Sequence, residues 1–379
     1  MNDLEKPIRV LHFYKTCHPY SFGGVEQVIH QLCSGGSEIG IINEVLVLNP
    51  DVKDESIDIN GYKVHCVKQD FQIASTGFSL SALIRFKELV KDADIVNYHF
   101  PWPFMDLLHF LIKVDKPTVV TYHSDIIRQK WLLLLYRPLQ YLFLSNVDSI
   151  VTASPNYLAS SEVLTHHKNK VEIIPFGLDK SCYLEPQEDL LEHWRSRVGT
   201  KFFLFLGVLR YYKGLHVLLE ALVGSQYPVV IAGSGPIENE LRERTHQLGL
   251  KHVYFCSEVT EEDKVALFTL CYSVVFPSHL RSEAFGISLL EGAMFGKPLI
   301  SSEIGTGTTY INIDTETGIV IPPEDSTALR NAMKFLWENS KVAEKMGKCA
   351  YSRYQELFTQ KKMVEGYKSL YKKLLRPPL

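Results

Sequence analysis

Along this chain, short runs that are apolar at nearly every position alternate with longer stretches whose apolar residues stand three and four apart. The first pattern suits strands buried on both faces, the second amphipathic helices. Strand patterns fall at Ile8–Tyr14, Glu44–Leu48, Val64–Val67, Ile95–His99, Thr118–His123, Ser149–Ala153 and Val171–Pro175 in the first half. In the second half they fall at Phe202–Gly207, Val229–Gly233, Val253–Phe255, Ser273–Pro277, Leu299–Ser302 and Gly318–Ile321. Runs such as FFLFLG, PVVIAG and SVVFPS have no polar face, so they predict parallel sheets covered by helices on both sides. The alternation predicts an α/β protein with two doubly wound, Rossmann-like domains. No internal repeat or low-complexity tract interrupts it.

Length agrees with that division, since 379 residues exceed what one ordinary core accommodates. The alternation breaks between Asp179 and Val198, which is polar and charged, contains Pro186 and has no strand pattern. The predicted domains are therefore residues 1–185 and 186–359, followed by a helix over 360–379 with Met363, Tyr367, Leu370, Tyr371 and Leu374 along one side. A hydrophobic fraction of 46% beside 22% charged residues describes a soluble globular chain. A net charge of −3 supplies no general drive towards nucleic acid. Seven cysteines show neither C-x2-C pairs nor zinc spacing with histidine, so they read as packed thiols in a reducing compartment. The opening residues pass from charged positions straight into a strand, without the basic region and apolar stretch of a secretory signal. A cytoplasmic location follows as the expectation.

Ligands in open α/β sheets bind beyond the C-terminal ends of strands, so motifs there matter most. Glu283 and Glu291 stand eight positions apart in Glu-Ala-Phe-Gly-Ile-Ser-Leu-Leu-Glu. Helical spacing begins near Phe285, which puts Glu283 at a helix start and Glu291 about two turns in. The N–H groups of the Phe285-Gly286-Ile287 turn offer a seat for phosphate, and the two carboxylates can hold sugar and ribose hydroxyls. Gly23-Gly24-Val25-Glu26 follows the first strand and opens a helix, which lets backbone approach an oxyanion closely. Gly207-Val-Leu-Arg210-Tyr-Tyr-Lys213-Gly214 follows another strand, and its Arg210 and Lys213 can meet charge growing on a leaving diphosphate. Thr121-Tyr122-His123-Ser124-Asp125 and Asn97-Tyr98-His99 end strands of the first half. A capped helix, a Gly-rich turn, solvated loop charges and satisfied histidines remain the structural readings of the same residues.

Taken together, these motifs resemble the retaining nucleotide-sugar glycosyltransferases of family 4, which have the GT-B fold. The resemblance covers nearly the whole chain and includes the E-x7-E signature at Glu283 and Glu291, the GG-x-E loop at Gly23 and Gly24, and a G-x-G-P turn at Gly233–Pro236. It implies that Glu283 grips the transferred sugar, Glu291 binds the ribose, and Lys213 with Arg210 holds the diphosphate. It also implies that His123 contacts the donor sugar or positions the acceptor, with His99 and Asp125 on the acceptor side. It places the last helix back on the first domain. The family usually sets its Arg directly after the Gly, where this chain has Val208, so the role carried to Arg210 depends on how the loop folds. No metal is expected, because Lys, Arg and a helix N-terminus meet the diphosphate charge. Asp92-Ala-Asp94 is formally a metal-binding D-x-D, but it precedes a strand and reads as a turn.

The stretches Ser278–Glu283 and Gly207–Leu215 narrow the resemblance to bacterial mannosyl- and rhamnosyltransferases that use GDP-sugars in O-antigen synthesis. The implied reaction transfers mannose from GDP-mannose, with retention, to a polyprenyl-diphosphate-linked acceptor such as GlcNAc-diphospho-lipid, through an α-1,3 bond. A rhamnosyltransferase or other GDP-sugar transferase on a later acceptor, a nucleotide-sugar 2-epimerase and a non-catalytic sugar-nucleotide-binding protein are the alternatives. Residues 126–144 combine Arg128, Lys130 and Arg137 with Trp131 and a dense apolar set. They suit either a helix at a membrane interface, on the cytoplasmic face of the inner membrane, or a buried helix. The last twenty residues add six Lys or Arg against one Glu.

Overall fold

A computed structural model of the protein describes residues 6–51, 54–73, 76–126, 130–257 and 259–376. The chain divides into two compact units, residues 1–178 with 360–379, and residues 179–359. The first passage between units thus falls a few residues before the sequence-derived boundary, at the start of the polar stretch that signalled it.

Among the described residues the first unit holds ten strands: β1 (Ile8–Phe13), β2 (Ile41–Asn49), β3 (Glu55–Ile59), β4 (Tyr62–Lys68), β5 (Phe71–Ile73), β6 (Thr76–Phe78), β7 (Ile95–Phe100), β8 (Thr118–Tyr122), β9 (Ser149–Thr152) and β10 (Val171–Ile173). Eight form one sheet in the order β10-β9-β8-β7-β1-β2-β4-β3, while β5 and β6 make a separate hairpin. Every residue of β7 and β8 is buried, as a central strand covered on both faces requires. The chain builds outward from β1 through β2 and β4, then returns to lay β7 on the other side of β1. Strand order therefore reverses between β1 and β7, where the loops at the C-terminal ends diverge and leave a crevice.

Two features escape the apolar pattern. β3 pairs antiparallel with β4 as an edge strand with exposed and half-buried positions, so it has no continuous apolar run. Asn60-Gly61 joins them with positive φ at both residues, 44° and 86°, the geometry of a two-residue hairpin turn. That Asn-Gly pair was the available signal. The helix Lys130–Asn146 buries Phe143 and Leu144 but leaves Trp131, Leu132, Leu134, Leu135 and Leu142 exposed. A fully buried helix is thereby excluded over its first half. Arg128 lies outside the described residues, as does the side chain of Lys130.

The final helix, Gln360–Leu375, belongs to the first unit and buries Met363, Val364, Tyr367, Leu370 and Tyr371. Leu374 is only half-buried. Its cations do not form one free face: Lys368 donates to the Ile39 carbonyl and Lys373 pairs with Glu172 at 2.8 Å.

The second unit carries β11 (Phe203–Leu206), β12 (Val229–Ala232), β13 (Val253–Cys256), β14 (Ser273–Phe276), β15 (Leu299–Ser302) and β16 (Gly318–Ile321). They form one parallel sheet in the order β13-β12-β11-β14-β15-β16. Order reverses here between β11 and β14. Phe203, Phe205, Val229, Ile231, Val275 and Ile300 pack with apolar residues of the covering helices, and truncating one such aromatic to Ala costs about 3–5 kcal/mol. This rigid centre aims two loops, after β11 and after β14, out of the same end of the sheet.

Candidate functional site

In the second unit those two loops meet backbone to backbone. Gly214 has φ 71°, and a Cβ there would stand 2.0 Å from the Pro277 carbonyl oxygen. Any side chain at this position would both strain the backbone and separate the loops. The His279 N–H donates to the Tyr212 carbonyl at 3.0 Å, completing the join. As a result the Lys213 ammonium lies against Glu283 Oε2, with both residues below a tenth exposed. Ser278 Oγ donates to the same carboxylate oxygen at 3.2 Å. Lys213 Nζ is 4.7 Å from the Phe276 ring centroid, close enough for a cation–π contribution. Glu283 Oε1 has no protein partner among the described residues.

Gly207 lies beside this pair, since a Cβ there would stand 3.9 Å from Lys213 Nζ and 3.7 Å from Ser288 Oγ. The ammonium and the first turn of the helix Ile287–Met294 therefore border one spot. Phe285 is buried, Gly286 starts the helix with φ 96°, and Ile287 is its first residue. The opening N–H groups of a helix have no intrahelical partner and carry partial positive charge. Ammonium and N–H groups together can hold a dianionic group. Gly235 supports the arrangement, because a Cβ there would stand 2.4 Å from the Leu209 carbonyl. Arg210, in contrast, is exposed.

Glu291 is buried in the same helix. Its Oε1 accepts from the Tyr183 hydroxyl at 2.9 Å and lies 3.3 Å from Lys264 Nζ. Burial opposes charge on Lys264, but Glu291 and Glu261 hold its ammonium above the usual lysine range. The Tyr183 hydroxyl is pushed up by burial and by Glu291. Glu291 Oε2 has no protein partner among the described residues, so the carboxylate keeps acceptor capacity for a hydroxyl pair. Neither Tyr183 nor Lys264 was singled out by sequence reasoning; they lie 108 and 27 residues from Glu291.

In the first unit Gly23 precedes and Gly24 begins the helix Gly24–Glu38. Glu26 folds back so closely that a Cβ on Gly23 would stand 2.5 Å from its Oε2, and Ser21 Oγ donates to Glu26 Oε1 at 3.3 Å. Across the ends of β1, β7 and β8 runs a row of three histidines. His12 Nδ1 is 3.1 Å from His99 Nε2, and His99 Nδ1 is 2.9 Å from His123 Nε2. His12 Nε2 is 3.1 Å from Asn43 Oδ1, while Asn43 Nδ2 donates to the Cys33 carbonyl at 3.0 Å.

These contacts fix proton order along the row. A carbonyl only accepts, so Asn43 must present Nδ2 to Cys33 and Oδ1 to His12. His12 then carries its proton on Nε2 and accepts on Nδ1, which requires His99 and in turn His123 to be protonated on Nε2. His123 Nδ1 is left as a lone pair with no protein partner among the described residues, and it is not a sealed atom. Burial lowers His12 to about 4 and His123 to about 3, and burial, His123 and His12 hold His99 well below the usual range. His123 is thus a hydrogen-bond acceptor for a hydroxyl and a poor general base.

Two sequence-derived placements need correction. His99 does not line a surface: it is 0% exposed, sealed between His12 and His123, and reaches a ligand only through His123. Asp125 Oδ1 is already engaged, accepting from Tyr122 at 2.9 Å and Ser161 at 2.7 Å, so its evident work is to tie the loop after β8. Asp92 ends the helix Leu80–Asp92 and Ala93-Asp94 connects it to β7, with Asp94 Oδ2 accepting from the Arg9 N–H at 2.9 Å. Among the described residues one group offers ligand atoms at metal spacing, His216, His279 and Glu324.

With two doubly wound units, each a parallel-sheet domain whose strand order reverses, the chain has the fold of a GT-B glycosyltransferase. It belongs to the family 4 glycosyltransferases: the model described as Glycosyltransferase Family 4 matches residues 22–181, and that described as Glycosyl transferases group 1 matches residues 186–353. It is therefore an enzyme, a hexosyltransferase. The chain is 58% identical to the D-rhamnosyltransferase WbpZ of Pseudomonas aeruginosa, over 93% of this chain and 92% of that protein. It is 52% identical to the O-antigen chain mannosyltransferase C of Escherichia coli, over 97% of this chain and 99% of that protein. Among solved structures, the sucrose-phosphate synthase of Thermosynechococcus elongatus superposes with a TM-score of 0.80 at 19% identity, covering 97% of this chain and 99% of that one. HepE of Anabaena, solved with UDP and glucose, gives 0.77 at 15% identity over 97% of this chain and 100% of that one.

The histidine row yields two expectations. Histidine ¹⁵N–¹H correlation spectra will show the proton on Nε2 of His12, His99 and His123, and Asn43→Leu will release protonated Nδ1 on His123; an Nδ1 proton on His123 in the unaltered protein breaks the derivation. Folding stability will also fall on acidification. Between the unfolded histidine pKa near 6.5 and the lower folded values, the unfolded chain binds protons that the folded row refuses. Stability is therefore lost as pH drops, by up to about 1.4 kcal/mol per pH unit for each histidine. Urea unfolding at successive pH values between neutral and 5 measures that slope.

Proposed function

We propose that this enzyme is a retaining α-mannosyltransferase that moves mannose from GDP-mannose to a polyprenyl-diphosphate-linked acceptor in O-antigen synthesis. The observation that carries the reading is the buried Lys213–Glu283 pair beside a helix start, in a chain more than half identical to both an O-antigen mannosyltransferase and a D-rhamnosyltransferase. Lys213 and the N–H groups of the Phe285–Ile287 turn hold the leaving diphosphate, where charge grows in the transition state. Glu291 binds the ribose hydroxyls through its unengaged oxygen. Glu283 holds the transferred sugar and stabilises positive charge at its anomeric carbon, and His123 accepts a hydrogen bond from a sugar hydroxyl. Attack comes from the face the diphosphate leaves, with its oxygen taking the acceptor proton. Lys213 supplies the positive charge, so transfer draws on no divalent ion. Arg210, exposed in the free protein, joins the diphosphate only if the loop refolds around the donor.

A GlcNAc-diphospho-lipid linked α-1,3 is the acceptor assigned to this reading. Among the described residues no helix is long and apolar enough to cross a membrane. Trp131 and Leu135, 84% and 80% exposed, share a helix face with Leu142 and support a peripheral seat on the cytoplasmic face of the inner membrane. A second reading, transfer of D-rhamnose, is favoured by the higher identity to WbpZ. D-rhamnose keeps mannose's ring configuration and lacks its 6-hydroxyl, so the two donors differ by a single group.

Mass measurement of products from a panel of nucleotide sugars and a synthetic GlcNAc-diphospho-lipid, without added metal, tests the assignment. One hexose gained from GDP-mannose supports the first reading, and one deoxyhexose gained from GDP-rhamnose the second. An epimerised donor without acceptor, or donor binding without transfer to any acceptor, overturns both. Lys213→Ala is expected to lower kcat by about 10²–10³-fold. Glu291→Ala is expected to raise the donor KM about ten-fold, near the loss of one charged hydrogen bond. Steady-state kinetics of both variants check the roles.

A further inference from the structure

His279 is a buried imidazole without a hydrogen bond. Its side chain is 0% exposed, and among the described residues neither Nδ1 nor Nε2 has a hydrogen-bond partner. Leaving one such group unsatisfied is costly, and nearly all buried polar side chains avoid it. Nδ1 faces Gly214, 3.4 Å from where a Cβ would be. Nε2 stands 3.7 Å from Glu324 Oε1, too far for a hydrogen bond. His216 meets the same ring at 5.0 Å between centroids and 86° between planes, and Tyr211 stacks flat on His216 at 5.2 Å. One ligand atom from each of His216, His279 and Glu324 lies within 4.8 Å of the other two.

We propose that His216, His279 and Glu324 form a binding site for a divalent transition-metal ion of the zinc class. Two ligand atoms about 2.1 Å from a tetrahedral zinc ion stand about 3.4 Å apart, close to the 3.7 Å between His279 Nε2 and Glu324 Oε1. Two imidazoles and one carboxylate suit zinc, nickel or copper, whereas calcium and magnesium take oxygen ligands. Entry is open, since His216 is half-buried and the Glu324 side chain is 62% exposed. A water completes the set.

The ion would tie together three segments: the helix Leu215–Ala221 that follows the loop after β11, the loop after β14 and the turn after β16. His216 stands three residues after Lys213, and His279 four residues before Glu283. The role assigned to the metal is structural: it holds the two segments that carry the ion pair. Metal binding by preformed ligands stabilises the folded state that contains them.

The test uses the full chain stripped with a chelator and reads binding rather than turnover. Glu324 has φ 59°, a conformation glycine adopts freely, so Glu324→Gly removes the carboxylate without harming the fold. His216→Ala removes a half-exposed ring. Calorimetric titration with zinc ion is expected to give one site in the unaltered protein and at least about ten-fold weaker binding in each variant. Zinc is expected to raise the melting temperature of the unaltered protein and not of the variants, while the metal-free Glu324→Gly protein melts no lower than the metal-free parent. No zinc binding, or equal binding by all three proteins, overturns the proposal.

Discussion

The second unit is arranged around two charges taken out of water together. Lys213 and Glu283 are each less than a tenth exposed, and removing one partner of such a pair strands the other at about 3–5 kcal/mol. That cost demands closely fixed geometry. It is met because β11 and β14 are neighbours, their loops leave the same end of the sheet, and Gly214 lets the backbones touch. Ser278 adds a neutral donor, and each carboxylate of the site keeps one oxygen without a protein partner among the described residues. The free protein thus keeps its site neutral within itself. An incoming diphosphate must compete with Glu283 for the ammonium, and the sugar's hydroxyls and developing positive charge then give Glu283 a replacement partner. Binding becomes an exchange of partners, which avoids leaving any charge buried alone.

The first unit solves its polar problem in the opposite way, without charge. Three histidines in contact would repel if protonated, and burial holds all three neutral. Neutral imidazoles in a row must agree on direction, and the Asn43 amide, anchored by the Cys33 carbonyl, sets it. Asn43 is therefore a positioning residue, acting on His123 through two intervening rings. The lone pair at the far end suits a hydroxyl, and an acceptor that does not titrate near neutrality keeps that preference over a wide pH range.

Much of this was legible in the sequence, for a physical reason. Strands covered on both faces are apolar at every position, so their runs stand out without any partner being known, and motifs that follow them fall at the functional end of a sheet. Glu283, Glu291 and Lys213 stand out as candidates by local spacing and by the family resemblance, without any distant contact being known. What stayed hidden depends on contacts between distant segments: Tyr183 with Glu291 across 108 residues, His12 with His99 across 87, and His12 with Asn43 across 31. Each partner looks ordinary alone. His99 was misplaced because a strand end in sequence does not say how deep a side chain lies. β3 was missed because an edge strand can stay polar, and only its Asn-Gly turn announces it.

One further constraint explains why the last helix returns to the first unit. Side chains two apart on a strand share a face, so Asn97 lies one step below His99 on β7, and Thr121 one step below His123 on β8. A polar pair buried at the centre of a parallel sheet needs partners that neither strand supplies. Thr121 donates to Asn97 at 3.1 Å, and the helix Gln360–Leu375 supplies the rest: Tyr371 accepts from Asn97 at 2.9 Å, and the Tyr367 hydroxyl is 2.9 Å from Thr121. Both tyrosines are fully buried. The end of the chain thus satisfies the polar layer on which the histidine row rests. Losing it would leave Asn97 and Thr121 short of partners directly beneath His99 and His123, so the segment most distant in sequence from β1 bears on the geometry of the site that β1 begins.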